Sequence, residues 1–80
     1  MTPDTVLTEL TGILGDTLGD NSIKLAMSTV RSDIHDWDSF NYILFMVAVE
    51  KKFAIKFTVS DIEEFPNVGA IVDKIIDLTG

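Results

Sequence analysis

Eighty residues and 8.8 kDa make room for one small domain, residues 1–80, and folding should reduce roughly 12,800 Å² of chain surface to about 4,800 Å². Apolar residues at 46% and charged residues at 24% are ordinary globular proportions, and the lack of cysteine excludes disulfides, thiolate metal sites and cysteine nucleophiles. The net charge of −7 repels phosphate backbones, so nucleic acid is not an expected partner and basic protein patches are.

The first helix opens with Thr2 as cap, Pro3 at its first position and Asp4 at the positive end of the dipole. Val6, Leu7, Leu10, Ile13, Leu14 and Leu18 then form an amphipathic stripe, weakened by Gly12 and Gly15 and stopped at Gly19-Asp20-Asn21. Residues 20–38 form a connection longer than the ~12–15 residues that structureless loops seldom exceed, and such loops tend to be functional or disordered. Ile23, Leu25, Met27, Val30 and Ile34 would anchor it across a core, which favours function.

A second helix is expected from Ser39 to Phe53, capped by Asp38 or Ser39. Its run Tyr42–Val49 is apolar throughout, so a buried strand competes with the helix. The cap and the stripe Tyr42, Phe45, Met46, Val49, Phe53 favour the helix. Phe40, Leu44, Val47 and Lys51 then share the opposite face, which is assigned to solvent because it ends in lysine. An exposed apolar strip of that kind marks a binding surface.

Ala54–Phe57 reads as a connector anchored by Ile55 and Phe57. Ser60 or Thr58 caps a short helical piece, Asp61–Glu64, and Phe65 before Pro66 ends it. Asn67 caps a last helix with the stripe Val68, Ile71, Val72, Ile75, Leu78. The expected fold is all-α: three longer helices and one short one around a common core, with a long loop between the first two. The longest apolar run, eight residues, is far short of a membrane span. Met1-Thr2-Pro3-Asp4 lacks the basic start and apolar stretch of a secretory signal, so a soluble, cytoplasmic domain is expected.

Catalysis has little material here. His35, Asp36, Asp38 and Ser39 crowd one short stretch, whereas a Ser-His-Asp site needs groups held by separate elements. The G-x-S-x-G elbow is also missing. Asp33, Asp36 and Asp38 lack the spacing of a calcium loop, so no resident metal is expected. Ser39 reads either as a cap or as a phosphate carrier, since unpaired N–H groups and the dipole favour negative charge at a helix N-terminus. Asp38 would then help hold a divalent cation during phosphoryl transfer.

Asp38-Ser39-Phe40 follows a long loop and starts an apolar helix ending Val49-Glu50-Lys51-Lys52-Phe53. Ile55, Phe57, Asp61-Ile62 and Asn67-Val68-Gly69-Ala70-Ile71-Val72-Asp73-Lys74-Ile75 come next. In these pieces and their spacing the chain resembles the acyl carrier and peptidyl carrier protein family, best from Trp37 to Ile76. The resemblance implies a four-helix bundle of acyl-carrier type that catalyses nothing itself. It implies 4'-phosphopantetheine on Ser39, transferred from coenzyme A by a phosphopantetheinyl transferase with Mg²⁺, which is needed only for attachment, and Asp38 aiding that step. The arm would carry an acyl or aminoacyl thioester between a loading enzyme and a downstream transferase or synthase, with the carrier itself a monomer. The implied docking residues are Trp37, Phe40, Asn41, Leu44, Val47, Lys51 and Ile62. Trp37 has a second reading, as a cover over the loop's apolar residues.

The chain departs from the carriers of fatty acid synthesis. Phe40 follows the serine in place of leucine, Leu44 stands where an acid is common, and Lys51-Lys52 replace acids beyond Glu50. Hydrophobic docking is thereby favoured over electrostatic docking. The expected function is that of a discrete carrier in a specialised biosynthetic pathway. The alternatives are the general fatty-acid carrier, an unmodified helical interaction module and, least supported, a small hydrolase using Ser39 and His35.

Overall fold

The computed structural model describes residues 1–80. Four α-helices follow one another: α1 (Pro3–Leu18), α2 (Ser39–Phe53), α3 (Val59–Glu64) and α4 (Val68–Thr79), with a single 3₁₀ turn, Arg31–Asp33, inside the long first connection. The accessible surface is 4876 Å², in line with the expectation from chain length.

Each helix begins where a short polar side chain accepts one of the N–H groups that helix geometry leaves unpaired. Thr2 accepts from the Thr5 N–H at 3.2 Å and Asn67 from that of Ala70 at 2.9 Å. On α2 the cap is Asp38, whose Oδ1 accepts from the Asn41 N–H at 2.9 Å. On α3 the cap is Thr58, not Ser60, and the helix therefore starts at Val59. Thr58 and Asp61 bond reciprocally: the Thr58 hydroxyl oxygen accepts from the Asp61 N–H at 3.0 Å, and the Asp61 carboxylate from the Thr58 N–H at 3.1 Å. At the C-termini the chain turns through the left-handed region, at Gly19 with φ 67° and at Ala54 with φ 56°.

α1 packs against both α2 and α4. The core holds Val6, Leu10 and Leu14 of α1, Tyr42, Phe45, Met46 and Val49 of α2, and Val68, Ile71, Val72 and Ile75 of α4. Leu25, Trp37 and Phe57 close it from the connections. The Tyr42–Val49 run is helical, and the strand alternative falls because every third or fourth residue enters this core. Leu78 departs from the expected stripe. It is 42% exposed, in the last turn of α4.

The long loop is held by backbone. The Val68 and Gly69 N–H groups, which α4 cannot satisfy itself, donate to the Thr29 and Met27 carbonyls at 2.9 and 2.7 Å. Leu25 is buried, and the Arg31 guanidinium lies 4.6 Å from the centre of the Tyr42 ring. The loop therefore crosses the N-terminus of α4 and returns to deliver Asp38 to the start of α2. No helix is long and apolar enough to cross a membrane.

Candidate functional site

The site is built around the first turn of α2. Ser39 is its first residue and is exposed, while the cap bond is made by Asp38. The Ser39 hydroxyl is thus spared a capping duty and stands beside unpaired N–H groups at the positive end of a 15-residue helix. Asn41, half-buried, fixes the approach. Its Nδ2 donates to the Asp36 carbonyl at 2.8 Å, across a turn in which Asp36 has φ 68°.

Trp37 corrects one expectation. It is 4% exposed, with its ring edge-on to Phe45 at 5.3 Å and Tyr42 at 6.0 Å, so it covers the core and has no place on a docking surface. A large apolar ring next to two aromatic core residues gains more from burial than from solvent. His35 has 96% of its side chain exposed and pairs at 3.4 Å with its neighbour Asp36, so nothing fixes its ring against Ser39 for catalysis.

Phe40, Leu44 and Val47 are 71%, 45% and 43% exposed, and Lys51 is exposed below them. Ile43 joins this face at 50% exposure and was not among the residues picked from sequence. Its three- and four-residue spacing from Phe40 and Val47 was the available signal; its β-branched character and apolar neighbours pointed inward instead. The other lysine at this end of α2, Lys52, turns back to Glu9 of α1 at 3.4 Å.

A cleft of about 510 Å³ opens beside Ser39. The loop contributes Thr29, Arg31 and Trp37 to it, α2 gives Tyr42 and Ile43, and α3 gives Ile62 and Glu63. Half-buried Ile62 works through its backbone as well, because its carbonyl accepts from the Tyr42 hydroxyl at 2.7 Å and ties α3 to α2. Burial pushes the Tyr42 phenol up, and the Arg31 charge offsets part of that, so the hydroxyl remains a donor. Arg31 carried no signal in the sequence that set it apart from a solvated cation. No cluster of three or more potential ligands is arranged to hold a metal ion.

Residues 5–75 match the family model described as the phosphopantetheine attachment site. The chain belongs to the phosphopantetheine-binding carrier family. Its structure is similar to the solution structure of the holo acyl carrier protein from Geobacter metallireducens, at 32% sequence identity and a TM-score of 0.84. The likeness covers 91% of this chain and 84% of that one. A comparison with the curated proteins gives no match. Members of the family are carriers and not catalysts, and this four-helix protein is a carrier of that type with a phosphopantetheine attachment site.

Proposed function

We propose that Ser39 is the attachment residue. The carrier would serve as a discrete, cytoplasmic, monomeric shuttle for an acyl or aminoacyl thioester in a specialised pathway. The observation that carries this reading is the division of labour at the start of α2: Asp38 caps the helix and Ser39, exposed, does not. In the attachment step the Ser39 oxygen forms a bond to the phosphorus next to the pantetheine of coenzyme A. The pyrophosphate linkage breaks, 3',5'-adenosine bisphosphate leaves, and the serine proton passes to a base of the transferase. The N–H groups of the first turn favour the phosphodiester that results. The exposed Asp38 bonds to Asn41 through one oxygen, and its other oxygen would help hold the Mg²⁺ of the transferase step.

Once attached, the arm supplies a thiol that holds the cargo as a thioester. The protein's contribution is tethering, which raises the concentration of the cargo at each partner's site. Partners, namely the transferase, a loading enzyme and a downstream transferase or synthase, would dock on Phe40, Leu44, Val47 and Lys51. Asn41 and Ile62 support that surface through the contacts described above. Four exposed apolar side chains on α2, counting Ile43, favour a partner with an apolar patch over one with a basic ring. This argues for a dedicated pathway over general fatty acid synthesis.

Intact mass after incubation with coenzyme A, Mg²⁺ and a broad-specificity phosphopantetheinyl transferase tests the reading. Wild type should gain one phosphopantetheine and Ser39→Ala none. Asp38→Asn keeps a competent cap and should fold normally but load more slowly. Failure of wild type to load, where a control carrier does, would replace the reading with that of an unmodified interaction module.

A further inference from the structure

A phosphodiester on Ser39 adds an anion to a stretch that already holds exposed carboxylates at Asp33, Asp36 and Asp38. Each of these has a partner of its own. Asp33 accepts from the Val30 N–H at 3.0 Å, Asp36 faces His35 at 3.4 Å, and Asp38 caps α2. Arg31 has no such partner. It is the one arginine of the chain, and the ion pairs of the protein are made by His35, Lys52 and Lys74. Its guanidinium lies instead over the Tyr42 ring, 4.6 Å from the centre. A three-residue step makes Tyr42 and Ser39 neighbours on one face of α2. Helical side chains lean towards the N-terminus of their helix, which brings the guanidinium on that ring towards Ser39. Arg31 and Ser39 line the cleft together, and they also border a second hollow with His35, Asp36 and Asp38. No lysine and no other arginine lines either one.

We propose that Arg31 is a positioning residue for the arm: in the loaded protein its guanidinium donates to the phosphodiester oxygens and holds the root of the arm beside the loop. This rests on the reading that Ser39 carries the arm. Repulsion from Asp36 and Asp38 works against the added charge, and Arg31 is the permanent cation at hand to offset it. The planar fork of arginine matches phosphate oxygens two at a time, which the single ammonium of a lysine does not. Stacking on Tyr42 occupies a face of the guanidinium and leaves its N–H edge free. The side chain is exposed, so that edge is open to an anion held at Ser39.

Apo and holo protein are prepared with the transferase, and intact mass confirms the loading. With one arginine in the chain, a ¹⁵N-labelled sample gives one arginine Nε–H resonance to follow. We expect it to move on loading, and most of the movement to be lost in 1 M NaCl, where the screening length is ~3 Å. Urea unfolding of wild type and Arg31→Met, each apo and holo, then closes a thermodynamic cycle. Loading should lower the folding equilibrium constant of Arg31→Met by about two- to fivefold more than that of wild type, the range of an exposed ion pair. The lost stacking on Tyr42 weakens apo and holo Arg31→Met alike and cancels in the cycle. Arg31→Lys keeps the charge without the fork and should fall between the two. The resonance test needs no variant, so it stands even where the transferase loads Arg31→Met poorly. An arginine resonance unmoved by loading, or a loading cost equal in wild type and Arg31→Met, would overturn the proposal. A wild type that gains no mass, or a gain that persists in Ser39→Ala, would instead refute the assignment of Ser39.

Discussion

Replacing Gly69 with alanine tests how the long loop is fastened, and Gly12 provides its control. A Cβ at position 69 would lie 2.9 Å from the Met27 carbonyl oxygen, closer than such atoms approach, and that oxygen belongs to backbone. The same carbonyl accepts the Gly69 N–H at 2.7 Å, so relieving the contact stretches or breaks the bond. Overpacking costs about 1–3 kcal/mol and a lost hydrogen bond about 0.5–1.5 kcal/mol. Alanine's higher helix propensity returns at most about 1 kcal/mol. The net loss is about 0.5–3.5 kcal/mol, or at least roughly 2 °C of thermal midpoint in a domain of this size. At Gly12, exposed in the middle of α1, an added Cβ meets nothing within 4 Å. There alanine should stabilise by about 0.5–1 kcal/mol. Thermal unfolding of both variants, with amide exchange at Val68 as a local reading of the anchor, checks the pair. If Gly69→Ala were as stable as wild type and Val68 as slow to exchange, the loop would not be held through α4 as described.

Ser39→Ala should change stability by less than about 0.5 kcal/mol, whereas Asp38→Ala, which removes the cap bond, should cost about 0.5–2 kcal/mol. Urea unfolding separates the two. Leu44→Glu should slow transfer to partner enzymes while leaving the melting temperature nearly unchanged, because Leu44 is already 45% exposed. A melted domain would mean that the α2 faces are reversed. Ala54→Gly removes a Cβ from a left-handed residue, φ 56°, and should raise stability by about 0.5–1 kcal/mol in the same urea assay. The Asp61 carboxyl is held below its ordinary range, first by the Thr58 backbone N–H. Its contribution is complete above the unfolded value near pH 4 and fades as pH falls through the lower folded value. Asp61→Asn should therefore flatten the loss of stability as pH falls below about 4, read from urea midpoints at a series of acidic pH values.

Local chemistry was legible wherever one residue type suits one task. Thr2, Asp38 and Asn67 announce helix starts because few side chains can reach an unpaired N–H. The stripes of α1 and α4 announce their buried faces through spacing alone, and the solvent assignment of Phe40, Leu44 and Val47 could be made from the lysine that ends their row. Sequence also ordered these pieces closely enough to resemble a carrier. What it could not supply was contact between distant parts of the chain. Trp37 could cover a core or present itself to a partner, and only the placement of Phe45 and Tyr42 beside it decides for the core. Gly69 looks like a weak helix residue until the Met27 carbonyl is found against it. The cleft has no sequence signature at all, since its walls come from the long loop, α2, α3, the α3–α4 connection and α4 and meet only on folding. Caps and periodicity act over three or four residues and can be read along a line. Burial, orphaned donors and cavities depend on which segments arrive at the same place, and that is decided by tertiary packing alone.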